Sequence, residues 1–317
     1  MKHRYLGHVY FGRDLYGTTA DYRIVNLDRG FSPNPGDAGE DRCFSLDCLP
    51  QEYSGFGNGD YRSCALEVVT GSGDPCTDLR YVSHEFMEGK YSLPGLPALY
   101  QAEGEEAYTL KVLLEDEVVK LKVTLLYGIF PDLDVITRAC IVENAGEERI
   151  TLEKALSMQV DFLGRDVDMI HFHGRHSMER MVEREHLAHG RFNVGSIRGA
   201  SSHQHNPFVI LCDHRANEDW GACFGFSFVY SGNFIAEAEV DQLGQVRFGM
   251  GIHPEGFCWK LAPGESFVAP EVMLSYSEDG FADLSNRISR AFRRALIRSK
   301  YVRESRPVLV NNWEATY

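Results

Sequence analysis

The chain has 317 residues, of which 44% are hydrophobic and 25% charged, and its 46 acidic and 32 basic side chains give a net charge of −14. Such a composition is ordinary for a globular protein and provides enough apolar residues for one large domain or two ordinary ones. The negative field repels nucleic-acid phosphates and anionic lipids, so a neutral ligand such as a sugar fits better. The sequence contains neither a signal-peptide pattern nor an apolar run long enough to span a membrane.

The eight cysteines are scattered along the chain and include no CxxC pair. Several lie within apolar, strand-like runs. Two interpretations remain open, a disulfide framework and a set of reduced thiols. The second is more typical of a chain of this length, and it predicts a cytoplasmic protein.

The first 60 residues are rich in turn formers. Residues 26–37 (NLDRGFSPNPGD) contain two prolines, two glycines and several Asx and serine residues. This chemistry predicts a shaped loop that displays Asp28, Arg29 and Phe31.

Strand patterns dominate from about residue 62 to residue 276. Apolar and polar residues alternate with a period of two, which predicts a large antiparallel sandwich. The turn at residues 231–233 and the alternation on either side predict a hairpin of residues 224–230 with 234–240. A second turn near Gly244 leads into residues 245–249. Further strands are predicted at 64–69, 79–86, 107–114, 121–127, 134–143, 149–161, 168–174, 191–198, 207–212 and 266–275.

One helix of about 20 residues is predicted after this region, because apolar residues recur at helical spacing from Phe281 to Ala295. Acidic residues near its start and arginines near its end match the helix dipole. We therefore divide the chain into a sandwich at residues 1–277, a linker helix at 278–304 and a new segment at 305–317.

The last segment begins with the apolar run of residues 308–310, followed by Asn311, Asn312 and Trp313. Polar and aromatic groups at the end of a buried strand are typical of barrel enzymes. We interpret the segment as the first strand of a further domain, and the chain as an N-terminal domain cut just after the next domain begins.

Three groups of chemical interest favour structural interpretations. The histidines at 171, 173 and 176, with those at 203 and 205, are the densest histidine groups. His171 and His173 would lie on one face of a strand, as two ligands of one metal must, but zinc also needs a third or fourth ligand, so structural or surface histidines are favoured. Asp161, Asp166 and Asp168 lack the pattern of a calcium loop. The turn at residues 57–62 presents Asp60 and Arg62 as a local ion pair or a clamp for sugar hydroxyls, and the ion pair is favoured. The sequence therefore predicts no metal and no cofactor.

Several stretches together resemble the N-terminal part of bacterial alpha-galactosidases of glycoside hydrolase family 36. The resemblance runs in order along nearly the whole chain. It is carried by residues 27–35 (LDRGFSPNP), 41–47 (DRCFSLD), 59–62 (GDYR), 134–138 (DVITR), 198–208 (RGASSHQHNPF) and 306–317 (RPVLVNNWEATY).

This resemblance implies a galactose-mutarotase-like beta-supersandwich joined by a helix to a catalytic (β/α)8 barrel, whose first strand would be residues 305–317. It also implies hydrolysis of terminal α-linked galactose from melibiose or raffinose with retention, by two aspartates beyond Tyr317. No catalytic residue is then expected in this chain. The implied substrate-binding residues are Trp313 in the pocket and, from a neighbouring subunit of a tetramer, Asp28, Arg42 and Phe31.

Two other functions stay open at this point. The chain could be a free-standing carbohydrate-binding or aldose-epimerase-like sandwich. It could also be a purely structural oligomerisation module.

Overall fold

The computed structural model describes residues 3–17, 27–28, 34–36, 39, 41–164 and 166–313. Within these residues the chain folds into two packed antiparallel sheets, which confirms the predicted sandwich. In chain order the strands are β1 (Leu66–Val69), β2 (Arg80–Glu88), β3 (Tyr108–Asp116), β4 (Leu121–Phe130), β5 (Val135–Asn144), β6 (Ile150–Phe162), β7 (Val167–Arg175), β8 (Met178–His186), β9 (Gly190–Ser196), β10 (His205–Asp213), β11 (Cys223–Val229), β12 (Phe234–Val240), β13 (Val246–Gly251), β14 (Trp259–Leu261), β15 (Ser266–Val268) and β16 (Glu271–Ser277).

The two sheets differ in size in the described part of the chain. The smaller has six strands in the order β1–β6–β13–β12–β9, with β14 also paired to β6. The larger has ten strands in the order β2–β3–β4–β5–β16–β11–β10–β7–β8, with β15 also paired to β5. Several consecutive strands, such as β5 and β6 or β11 and β12, belong to different sheets, so the chain crosses repeatedly between the layers.

The inward faces of the sheets form the main core. Leu121, Val123 and Leu125 alternate along β4 and are fully buried against residues of the smaller sheet. Further along the sandwich, the rings of Phe226 and Phe248 approach from opposite sheets, with their centroids 4.3 Å apart. Burial of this apolar surface is the main force that holds the two layers together.

The predicted hairpin of residues 224–230 with 234–240 is wrong. Strand β11 pairs with β10 and β16 in the larger sheet, whereas β12 pairs with β9 and β13 in the smaller one. Phe226 and Phe234 project into one core from the two layers. Alternation reports that one face of a strand is buried, but it does not distinguish strands that pair from strands that face each other. The second predicted turn does form a hairpin, in which Val240 pairs with Val246.

Strand β8 was missed by the sequence pattern. It lies at the edge of the larger sheet and pairs only with β7 within the described residues. Almost all of its residues are exposed, and charged side chains recur along it, from Glu179 to Glu185. Without a buried face there is no apolar alternation, and charged edge strands of this kind protect a sheet from further pairing.

Helix α1 spans Gly280–Ala291 and packs on the outer face of the larger sheet. Gly225 permits this close approach, because a Cβ atom there would lie 3.0 Å from the Cδ1 atom of Ile288. A π-helical turn, Phe292–Leu296, follows, and a separate 3-10 turn covers Lys300–Arg303. The helix predicted for 278–304 is thus shorter and interrupted.

Beyond the helix, residues 304–312 form no regular secondary structure. Val308, Leu309 and Val310, predicted as a buried strand, are 81–96% exposed. No helix in the described ranges has the length and apolar character needed to cross a bilayer.

A buried ionic cluster attaches the N-terminal segment to the outer face of the smaller sheet. The Arg247 guanidinium on β13 lies 2.9 Å from an Asp60 carboxylate oxygen and 2.8 Å from one of Asp161 on β6. Arg62 bonds the other Asp60 oxygen at 2.9 Å. Arg62 also donates to the carbonyls of Leu46 and Leu49. The local ion pair predicted for Asp60 and Arg62 is confirmed, and it belongs to a larger network.

The charges in this cluster stabilise one another. Burial alone would lower the pKa of Arg247, but Asp161 and Asp60 raise it. Burial would likewise raise the pKa of Asp60, but Arg247 and Arg62 hold it below its usual value. Arg247 and Asp60 are therefore held in their charged forms, and removal of one leaves its partners desolvated and poorly compensated.

Replacement of Arg247 by leucine tests this role. The buried carboxylates of Asp60 and Asp161 lose their shared cation, so we expect the free energy of unfolding to fall by about 3–5 kcal/mol. The measurement is the midpoint of urea denaturation at pH 7. The control is Lys111→Leu, which removes an exposed pair with Glu85 and should cost less than about 1 kcal/mol. Equal midpoints for the two variants would contradict this account.

Candidate functional site

The N-terminal loop brings together two of the residues singled out from the sequence. The Arg42 Nε atom lies 3.1 Å from an Asp28 carboxylate oxygen, and the two side chains remain 53% and 57% exposed. A carboxylate accepts hydrogen bonds and a guanidinium donates them, so the pair offers both functions that sugar hydroxyls require. Phe31, the third residue expected in this loop, lies outside the described residues.

A small core anchors the turn that carries Arg42. The Asp41 carboxylate accepts a hydrogen bond from the Cys43 amide, and its carbonyl accepts one from the Phe44 amide. Phe44 is buried against Tyr5 and Leu46. The Leu46 carbonyl in turn accepts a hydrogen bond from Arg62 of the buried ionic cluster. Arg42 therefore projects from a fixed base.

Trp313 lies in a separate segment that follows the linker helix. The residue is 65% exposed, and its backbone amide donates a 3.1 Å hydrogen bond to the Asn311 side-chain oxygen. With the exposed apolar residues at 308–310 it forms a surface that a further packing partner could bury. An indole ring in such a surface suits the apolar face of a sugar ring.

A buried polar group that the sequence did not reveal lines a pocket of about 340 Å³ between residues 6–11 and the larger sheet. The Glu52 carboxylate is the centre of this group. One oxygen lies 2.7 Å from the His8 Nδ1 atom, and the other lies 2.7 Å from Arg138 and accepts a hydrogen bond from the Tyr127 hydroxyl. These four residues are distant in sequence, so no spacing pattern marks them.

The electrostatics of this group suit structure better than proton transfer. Burial would raise the pKa of Glu52, but Arg138 and His8 hold it at about 2. A general base works best when its pKa lies near the operating pH, and a carboxylate so strongly stabilised is a poor proton acceptor. Burial also raises the pKa of the Tyr127 hydroxyl well above its usual value, which makes it a weak acid.

Comparison with family models divides the chain at the start of β15. Residues 4–262 match the model described as the glycosyl hydrolase family 36 N-terminal domain. Residues 266–317, which include Trp313, match the model described as melibiase.

Relatives of the chain are similar over nearly its full length. It is 48% identical over 313 residues to the bifunctional alpha-galactosidase/sucrose kinase AgaSK of Mediterraneibacter gnavus, covering 99% of this chain and 33% of that protein. It is also 48% identical over 313 residues to the alpha-galactosidase AgaA of Geobacillus stearothermophilus, covering 99% of this chain and 43% of that protein. The chain thus spans between a third and less than half of the length of these relatives.

Solved structures agree with these relationships. A complex of the Geobacillus stearothermophilus enzyme AgaA with raffinose superimposes with a TM-score of 0.95 and 46% identity, covering 99% of this chain and 44% of that one. A complex of the same enzyme with stachyose gives a TM-score of 0.94 and 47% identity, covering 99% and 43%. From the family model that covers residues 4–262, the chain belongs to glycosyl hydrolase family 36.

Proposed function

We propose that this chain is the N-terminal, non-catalytic part of an alpha-galactosidase. The observation that carries the proposal is the match to alpha-galactosidases along nearly all of this chain but less than half of theirs. The full-length protein would remove terminal α-linked galactose from oligosaccharides such as melibiose and raffinose, with retention of configuration. The N-terminal part would support assembly and complete the substrate site.

The ion pairs of the buried carboxylates support a catalytic centre outside the described residues. A retaining glycosidase needs two carboxyl groups that face the sugar, one as nucleophile and one as acid and base. In the described residues, Asp60 and Asp161 bond Arg247, Glu52 bonds Arg138, and Glu271 bonds Lys90 at 2.6 Å. We place the catalytic aspartates in a barrel that follows Trp313.

The substrate class follows from the relatives. The Geobacillus stearothermophilus enzyme has been crystallised with raffinose and with stachyose, in both cases as a variant with an aspartate replaced. By analogy, Trp313 would form a wall of the galactose pocket. Asp28, Arg42 and Phe31 would contact the sugar from a neighbouring subunit, which requires a homo-oligomer and, in our proposal, a tetramer.

The state of the cysteines supports a cytoplasmic location. All eight are free thiols, and six of them are at least partly buried. Reduced thiols persist in a reducing compartment, whereas secreted proteins commonly cross-link them.

The same structure argues against an aldose-epimerase-like function for the sandwich alone. Such an enzyme needs an acid and a base that face a sugar-sized cavity. The nearest arrangement, Glu52 with His8, has its carboxylate occupied by three partners and a pKa of about 2. We therefore assign this group to stabilisation of the sandwich.

Kinetics of the full-length protein test the proposed function. We expect it to release galactose from raffinose, with the α-anomer appearing first by NMR. In Asp28→Ala and Arg42→Ala, KM should rise about tenfold with kcat nearly unchanged, because a hydrogen bond to a charged group contributes about 1.5 kcal/mol.

The matched control is Glu85→Ala, which also removes an exposed member of an ion pair and should leave KM unchanged. Absence of galactosidase activity in the full-length protein would overturn the function. Activity with unchanged KM in both loop variants would overturn only the role of the loop.

The pH dependence of stability tests the role of Glu52. Its pKa in the folded protein, about 2, lies below the ordinary value of 4.5, so its contribution is present above pH 4.5 and is lost as the pH falls toward 2. That contribution is about 3 kcal/mol at neutral pH. We expect Glu52→Gln to be less stable than the native protein at pH 7, and the gap to narrow by about 1 kcal/mol at pH 3.5.

Urea denaturation at both pH values measures this gap. Glu85→Gln, which removes an exposed carboxylate, should give a small difference at either pH. A gap for Glu52→Gln that stays constant between pH 7 and pH 3.5 would refute the assigned role.

A further inference from the structure

Two histidines and an aspartate converge at the edge of the larger sheet. Asp168 on β7 and His186 on β8 are cross-strand partners, and His214 follows the end of β10. The Nδ1 atoms of His186 and His214 lie 3.2 Å and 3.0 Å from the same Asp168 oxygen, Oδ1. The three ligand atoms all lie within 4.8 Å of one another.

These separations are close to those of a metal site. In a tetrahedral zinc site with metal–ligand bonds of about 2.0–2.1 Å, neighbouring ligand atoms lie about 3.3–3.4 Å apart. A small outward movement of the two imidazoles from Asp168 Oδ1 would therefore admit an ion. A carboxylate oxygen of Asp166, 3.7 Å from the His186 Nδ1 atom, is near enough to serve as a fourth ligand, or water could take that position.

The carboxylate is held in the orientation that a ligand requires. Arg184 donates from its Nε atom to the other Asp168 oxygen, Oδ2, at 2.6 Å, which leaves Oδ1 directed at the imidazoles. The remaining guanidinium nitrogens of Arg184 donate to the carbonyls of Asp213, His214 and Ala216. Metal-ligating carboxylates are commonly oriented by such outer hydrogen bonds.

Burial and exposure also fit a metal site. The Asp168 side chain is only 3% exposed, whereas those of His186 and His214 are 53% and 64% exposed. A fixed carboxylate thus lies beneath two accessible imidazoles, which gives an ion a path from solvent. Imidazole nitrogens favour zinc and similar transition metals over calcium or magnesium, which prefer oxygen ligands.

We propose that Asp168, His186 and His214 bind a divalent transition metal ion of the zinc class. The site is structural, because it joins the β7–β8 hairpin to residues 213–218. The carbonyls of Asn217 and Glu218 accept hydrogen bonds from the Phe281 and Ala282 amides at the start of α1. Metal binding would therefore hold in place residues 217 and 218, which bond the start of α1. The ligands lie 18 and 28 residues apart in sequence, which no spacing signature marks.

Zinc titration of the tag-free chain tests this proposal, with isothermal calorimetry and thermal melting as readouts. The native chain should bind one zinc ion with a Kd in the micromolar range or below, and its melting temperature should rise with zinc. The double variant His186→Ala/His214→Ala should bind at least 100-fold more weakly and show no rise. Circular dichroism without metal establishes that the variant folds.

The matched control is His176→Ala/His203→Ala, which removes two exposed histidines outside the site. It should retain the affinity of the native chain within about twofold. Cobalt(II) provides a second probe, because tetrahedral coordination gives an intense visible absorption that the His186/His214 variant should lack. If zinc up to 1 mM fails to bind, or if both double variants bind it equally, the group is a hydrogen-bonded cluster only and the proposal is overturned.

Discussion

The placement of the N-terminal segment depends on the ion pairs that the buried Arg247 guanidinium makes with Asp60 and Asp161. This guanidinium lies on the outer face of the smaller sheet, where a charge would be costly unless paired, and Asp161 of the same sheet alone does not satisfy it. Asp60, from the segment before β1, provides the second carboxylate that pairs with Arg247. The irregular residues before β1 are thereby fixed to the sheet by charge and hydrogen bonding as much as by apolar contact.

This attachment explains how a segment rich in turns can present a defined surface. Arg62 connects the ionic cluster to the carbonyls of Leu46 and Leu49, and the turn that carries Arg42 begins a few residues earlier. Arg42, which pairs with Asp28, is thus attached through this turn to the buried ionic cluster. At the other end of the chain, α1 packs against Gly225 and its first amides bond the carbonyls of residues 217 and 218. The segment that carries Trp313 therefore follows a helix attached to the sandwich.

Sequence reasoning recovered the sandwich because alternating burial leaves a period-two pattern, as in Leu121, Val123 and Leu125. It failed where the physical cause is not local. Phe226 and Phe234 alternate equally well whether their strands pair or face each other, and β8 has no buried face to produce a pattern. The motifs that resemble the family identified Asp28, Arg42 and Trp313, and the structure pairs the first two.

The clusters of Arg247, Glu52 and Asp168 each combine side chains from strands with side chains from elements distant in sequence, such as Asp60, His8 and His214. The folded chain brings these side chains together, so spacing rules could not reveal them. Asp161 and Asp168, which seem to form one acidic group in sequence, belong to two separate networks in the structure.

We propose that this chain belongs to a galactoside-hydrolysing protein whose catalytic groups lie outside the 317 residues. The most direct measurement is the turnover of a chromogenic α-galactoside by the purified 317-residue chain, beside the full-length protein at equal concentration. The account predicts hydrolysis by the full-length protein and none by the chain alone. Hydrolysis by the chain alone, in proportion to its concentration, would contradict it.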